Sequence, residues 1–240
     1  MDSSAEWSGV RERVFAVALA EERARRALAE QRGLRWSSSS VPALYPVLAA
    51  DEIVEAEAQF GVSLPEEYRS FLAQVGAGGE GPKILLTTLR KIEGRWGWIS
   101  EDDEGCVFSL DASGSFIESQ DWLDVQIATL RAAGFEPTVP DAEVDYLADY
   151  QGAFGESAGQ DLWDEQRHRG AIYISDNGGG MTGWLIVAGP HRGEVRDRDC
   201  GYNPPFVPYV DASGNPHTFR SWYLEWLEQQ EAQFAEYLAG

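Results

Sequence analysis

Residues 61–82 read GVSLPEEYRSFLAQVGAGGEGP. Ser63 and Glu66 have the spacing of a capping box, and Pro65 suits a first helical turn, where its missing N–H costs nothing. Tyr68, Phe71, Leu72 and Val75 then fall at i, i+3, i+4 and i+7 and share one helical face. The spacing predicts a helix with a buried aromatic and aliphatic stripe, stopped by the glycine-rich loop Gly76–Gly81. Just upstream, Asp51 is the expected N-cap of a helix running to Phe60, and Gly61 ends it. A helix pair therefore opens the main domain.

Toward the N-terminus, Val10 to Gln31 read as one helix, rich in Ala, Leu, Arg and Glu, with Gly33 as its stop. Phe15, Leu19 and nearby apolar residues form its narrow stripe. Ser37 to Ser40 follow as a short linker. The expected organisation is an appended helical arm over 1–40 and a domain over 41–240 that folds without it.

Toward the C-terminus, Ile84–Leu89, Trp96–Ile99 and Cys106–Leu110 read as strands. Asp121 to Ala133 read as a helix closed by Gly134, and a further helix is expected near Ala142–Tyr150. Ala171–Ser175, Met181–Ala188 and Glu194–Arg198, joined by short turns, form an antiparallel meander. A last helix runs from Thr218 to about Leu238, anchored to the sheet by Phe219, Trp222, Tyr223, Trp226 and Leu227. Strands come in runs rather than in alternation with helices, which argues for the α+β class, with an N-terminal helical extension.

The chain has 240 residues, 43% of them hydrophobic and 12% aromatic, enough to bury a real core. Cys106 and Cys200 are the only cysteines, too few for a disulfide framework and without zinc-ligand spacing. The N-terminus lacks a basic segment followed by an apolar one, and Phe15–Ala20 is far too short to span a membrane. Cytoplasmic residence is the expectation.

The formal net charge is −21, a field that repels nucleic acid and anionic membranes and attracts a basic protein. It is uneven. Residues 1–40 hold seven Arg against six Asp and Glu, a net of +1, which leaves −22 on the other 200. Residues 101–165 alone hold seventeen Asp and Glu against one Arg, Arg131.

The segment from Ala50 to Gly81 resembles the signature of the SUKH superfamily, the group that includes the Smi–Knr cell-wall regulators. The likeness rests on an acidic first helix, a Gly, a Leu-Pro-x-x-Tyr second helix and a glycine-rich loop. Tyr173-Ile174, the Gly178–Gly180 turn, Leu185-Ile186-Val187, Gly189–Gly193 and the helix opening Thr218-Phe219-x-x-Trp222-Tyr223 extend it over about 42–232. The resemblance implies a twisted, mainly antiparallel sheet flanked by helices. It also implies a binding protein: bacterial members are largely immunity proteins against contact-delivered or polymorphic toxins, many of them nucleases, and fungal members are regulatory scaffolds. It brings no catalytic motif.

Other constellations are weaker. Gly178–Gly180 lacks the Lys and Ser/Thr of a phosphate-binding loop and reads as a hairpin turn. His168 lies near Asp161, Asp164 and Glu165 but has no second His at ligand spacing and reads as part of an exposed helix. His191 and His217 read as surface residues. Glu101–Glu104 and Asp111–Ser115 do not follow the ligand pattern of a calcium loop. Trp96-Gly97-Trp98 reads as core packing of alternate strand residues before it reads as a binding surface. No catalytic residue, metal ligand or cofactor site emerges. The expected function is neutralisation of a cognate, basic protein toxin, with a non-catalytic regulatory scaffold as the alternative. The candidate contact residues are Glu101, Asp102, Asp103, Glu104, Asp121 and Asp124, the last two on one helix face.

Overall fold

A computed structural model describes residues 7–37, 42–100, 112–116, 119–137, 147–178, 181–199 and 206–239. Helix α1 (Val10–Gln31) forms over the expected residues. Its buried face is not the expected one. Phe15 and Leu19 are exposed, whereas Val10, Val14, Val17 and Ala20 are buried. Trp7, in the turn before the helix, is 2% exposed and meets Phe71 and Tyr223 edge-on at 5.4 and 6.1 Å. Arg13 makes a two-pronged ion pair with Glu231 at 2.7 and 2.8 Å. Core side chains thus come from both sides of residue 40. Of the Ser37–Ser40 linker, residues 38–40 lie outside the described residues.

Helices α2 (Ala50–Phe60) and α3 (Glu66–Gln74) form the predicted pair, with different caps. Ala49 is the N-cap of α2, and its N–H donates to the Glu52 carboxylate at 2.8 Å, so Asp51 sits inside the first turn. Pro65 is the N-cap of α3, which leaves Ser63 outside the helix. The nearby Leu64 N–H donates instead to Glu57 on α2, at 2.8 Å. A carboxylate of the neighbouring helix thus holds the chain just before α3. Tyr68, Phe71, Leu72 and Val75 are all buried, as their spacing requires.

The glycine-rich loop is squeezed between two chain segments. A Cβ at Gly78 would lie 2.5 Å from Thr87 O, and one at Gly79 2.5 Å from Ala43 O. Both contacts are with backbone, which cannot swing aside, so these glycines permit close approach rather than hold a ligand.

The expected strand over Ile84–Leu89 is two, β1 (Leu85–Leu86) and β2 (Thr88–Ile92). Between them the Thr87 hydroxyl donates to Tyr173 O at 2.8 Å, and the chain passes from one sheet to the other. Strand β3 (Arg95–Ile99) pairs with β2 in a hairpin, and alternation buries both Trp96 and Trp98. The Trp98 indole donates to the Tyr68 hydroxyl at 2.9 Å. The strand expected at Cys106–Leu110 lies outside the described residues. Helices α4 (Ser119–Ala132), α5 (Leu147–Phe154) and α6 (Glu156–Arg167) gather Leu130, Tyr150, Ile127, Phe135 and Leu162 into a satellite core. Here the Tyr150 hydroxyl, pushed up to about 12 by burial with Thr129 opposing, donates to Gln126.

The meander is present as β4 (Ala171–Gly178), β5 (Met181–Ile186) and β6 (Val195–Asp199), continued by β7 (Val207–Pro208). With β1 they make a five-stranded antiparallel sheet of order β1-β4-β5-β6-β7. Strand alternation gives it two apolar faces. Ile172, Ile174, Leu185, Val187 and Val195 join the main core, while Ala171, Tyr173, Trp184 and Ile186 join Phe116 and Phe206 on the other side. Helix α7 (Phe219–Gln233) starts just after Thr218, the expected first residue, which is its N-cap, and α8 (Ala235–Leu238) follows after Phe234. Phe219, Trp222, Tyr223 and Leu227 are buried in the main core, with Trp226 half-buried at its edge. The fold is α+β, helices flanking a mainly antiparallel sheet.

Candidate partner-binding surfaces

Glu101, Asp102, Asp103 and Glu104 lie outside the described residues. Asp121 and Asp124 are both on α4, and Asp124 is exposed. The satellite core holds the inner side of α4–α6, so their outer side faces solvent. Asp124, Glu136, Glu156 and Asp161 are exposed on this unit. Arg131, an exposed cation on this unit, is bound by Glu136 at 2.6 Å. The described part of the acidic segment is thus largely helical, with Asp124, Glu136, Glu156 and Asp161 exposed against exposed Arg131, and Asp149 buried.

A second concave region surrounds the glycine-rich loop, where α1, α7 and the β7 end of the sheet meet. Two adjoining hollows, of about 250 and 290 Å³, share Lys83 and Trp226 in their walls. In the first, Glu80 is half-buried. Burial raises its carboxyl above the ordinary carboxylate range, Glu21 adds to the rise and Arg25 opposes it. In the second, the rings of Tyr209 and Trp222 lie 5.7 Å apart, and Lys83 Nζ stands 5.2 Å from the Tyr209 ring centre. Burial, with Asp197 second, pushes the Tyr209 phenol up, while Asn177 donates to its hydroxyl at 2.9 Å.

On the opposite face of the sheet, alternation aims Arg196 and Arg198 inward, and both are buried. Arg196 bonds Glu194 at 2.7 Å and lies over the Phe116 ring. Arg198 lies over Phe206 and approaches His168 Nε2 at 2.7 Å. A guanidinium has only donors, so Nε2 accepts this bond. The His168 ring stacks on Trp184 at 4.4 Å. His168 is therefore the C-cap of the helix α6, half-buried and packed on the sheet rather than exposed. Sequence reasoning missed this layer because charged residues in a strand read as solvent-facing.

His217 is buried, not a surface residue. Its ring joins Ser221 Oγ at 2.9 Å to Glu225 Oε2 at 3.0 Å, the order of a nucleophile, base and acid. The serine is already committed. Its Oγ accepts the Thr218 N–H at 3.0 Å and faces Thr218 O at 3.2 Å, inside the capping box of α7. The three residues sit at i, i+4 and i+8 at the start of α7, where Ser221 belongs to the capping box with Thr218. His191 is half-buried, 2.9 Å from Glu194; that carboxyl lies below its ordinary value because bonds from His191 and Arg196 outweigh the opposing effect of burial. Trp96 and Trp98 belong to the core, as their alternation indicated. Among the described residues, no group of three His, Cys, Asp or Glu is placed to hold a metal ion, and no helix is long and apolar enough to cross a membrane.

Comparison with protein families gives one match. The model of the SMI1/KNR4 family (SUKH-1) fits residues 48–196, from just before α2 into β6. No curated protein and no solved structure matches the chain.

Proposed function

The chain belongs to the SMI1/KNR4 family (SUKH-1), and from that premise we propose that it is an immunity protein: a cytoplasmic, non-catalytic protein that binds one cognate bacterial toxin and blocks it. The observation that carries this reading is the charge distribution. Beyond residue 40 the net charge is −22, concentrated in residues 101–165, and within that segment Asp124, Glu136, Glu156 and Asp161 are exposed on the α4–α6 unit. A toxin that cleaves nucleic acid must attract a polyanion, so its substrate channel is basic. An acidic inhibitor exploits the same field, which accelerates encounter and selects the partner. Toxin–inhibitor pairs of this kind can bind with Kd down to roughly 10⁻¹³ M.

The contact surface proposed is Glu101, Asp102, Asp103 and Glu104 together with Asp121 and Asp124. The test is co-expression with the C-terminal domain encoded by the adjacent gene, scored by growth. Rescue by the native chain, and loss of rescue when the six acids are exchanged for Lys, is the expected result. A toxic neighbour that this chain fails to neutralise would remove the immunity reading and leave a regulatory binding role.

A further inference from the structure

The same charge imbalance that points to a basic partner leaves one part of the surface unlike the rest. Two copies of a protein with net charge −21 repel each other except where the local charge is not negative, and residues 1–40 carry +1. That segment presents an apolar strip. On α1, Phe15 is 43% and Leu19 49% exposed. At 3.6 residues per turn, Glu12, Phe15, Ala16, Arg23 and Arg26 all lie within about 60° of Leu19 around the helix axis. All are exposed. The residues that hold the helix to the core, Val10, Val14, Val17 and Ala20, lie about 100° or more away on the other side. The outward face is therefore geometrically separate from the one that α1 uses to fold.

We propose that this face pairs with a second copy of the chain, α1 against α1 in antiparallel fashion, about a twofold axis at Leu19. The pairing is self-complementary. It sets Leu19 against the partner copy's Leu19, Phe15 against Arg23, and Glu12 against Arg26. Glu22 falls opposite Ala16 and meets no like charge. The ionic groups have only weak ties within one chain. Arg26 pairs with Glu30, itself on the exposed side of the helix, at 3.1 Å. Arg23 holds Tyr237 O at 3.0 Å through its guanidinium, which leaves its stem to cover the partner's Phe15. One face of the Phe15 ring is already covered by Arg11, at 5.0 Å. An isologous contact repeats every pair twice, so each favourable charge pair counts double. Four turns of helix per copy bury less than the ~1,200 Å² of a standard interface, so the dimer is weak, with Kd on the order of tens of micromolar.

The test is sedimentation equilibrium of the full chain at about 0.15 M salt, where the Debye length of about 8 Å screens the long-range repulsion. A monomer–dimer equilibrium is expected. Leu19→Asp should leave only monomer. Glu12→Arg and Arg26→Glu should each weaken association by at least ~5-fold, since each places two like-charged pairs across the axis, and the double variant should return to within ~2-fold of the native chain. All three positions face solvent, so unfolding midpoints should stay near the native value, and the charge exchange tests the pairing independently of Leu19. A native chain that is monomeric at about 0.5 mM, well above the Kd range argued from interface size, would overturn the proposal. So would a dimer that survives Leu19→Asp, or a double variant no stronger than the single ones.

Discussion

Replacing Trp7 by Ala tests whether the N-terminal segment is part of the folded domain. The side chain is buried among Phe71, Phe219 and Tyr223, at ring-centre distances of 5.4, 6.3 and 6.1 Å. A buried aromatic removes roughly 150–250 Å² from water, and truncating one to Ala typically costs about 3–5 kcal/mol. The indole N–H is buried without a hydrogen-bond partner, so the substitution breaks no hydrogen bond and removes an unmet donor. That places the expected loss at the lower end, about 3 kcal/mol. For a chain of this size it corresponds to a fall in Tm of about 6–12 °C. Urea unfolding followed by circular dichroism measures it, with Leu34→Ala, an exposed position on the same segment, as the control. Deletion of residues 1–40 extends the test, because it removes Trp7 together with Val10, Val14, Val17 and Ala20. The truncated chain should lose its cooperative transition. A loss below about 1 kcal/mol for Trp7→Ala, well under the usual cost of a buried aromatic, or a truncated chain that still unfolds cooperatively, would refute the reasoning and show that the segment is an appendage.

Three further outcomes follow from other parts of the molecule. Glu80 has a carboxyl raised by burial, so its folded form binds a proton more tightly than the unfolded chain does; its ionisation costs stability above the raised value, and the cost vanishes below the ordinary value of 4.5. Glu80→Gln should therefore raise Tm at pH 7 and lose that advantage near pH ~4, and a gain independent of pH would contradict the assignment. Gly79→Ala would press a Cβ to 2.5 Å from Ala43 O at φ 117°, and a loss of at least ~2 kcal/mol in denaturant unfolding is expected; a neutral substitution would show that the loop is not tight there. Exchanging the six candidate acids for Lys should leave unfolding within about a kcal/mol of the native chain, as surface changes usually do, while slowing stopped-flow association with the toxin by at least ~10-fold and reducing its salt dependence. Unchanged salt-dependent association would place the contact elsewhere, with the hollows around Trp226 as the next surface to examine.

Much of the fold is legible from local pattern. The spacing of Tyr68, Phe71, Leu72 and Val75 identifies the buried face of α3, the turns after β4 and β5 identify a meander, and Thr218 identifies the start of α7. These features depend on periodicity and on residues a few positions apart, and one sequence carries both. The charge distribution that motivates the proposed partner is likewise complete in the sequence. What a helix packs against is not. Helix α1 has apolar residues on two sides, Phe15 and Leu19 on one and Val10, Val14 and Val17 on the other, and the side that docks joins a core whose other members, such as Phe71, Phe219 and Tyr223, lie tens or hundreds of residues away. Arg196, Arg198 and His217 carry polar side chains that pattern reading assigns to solvent, yet Glu194, His168, Ser221 and Glu225 supply the partners that make their burial tolerable. Local geometry follows from neighbours along the chain; the choice between two apolar faces, and the burial of Arg196 and Arg198 against Phe116, Phe206 and His168, depend on groups that only folding brings together.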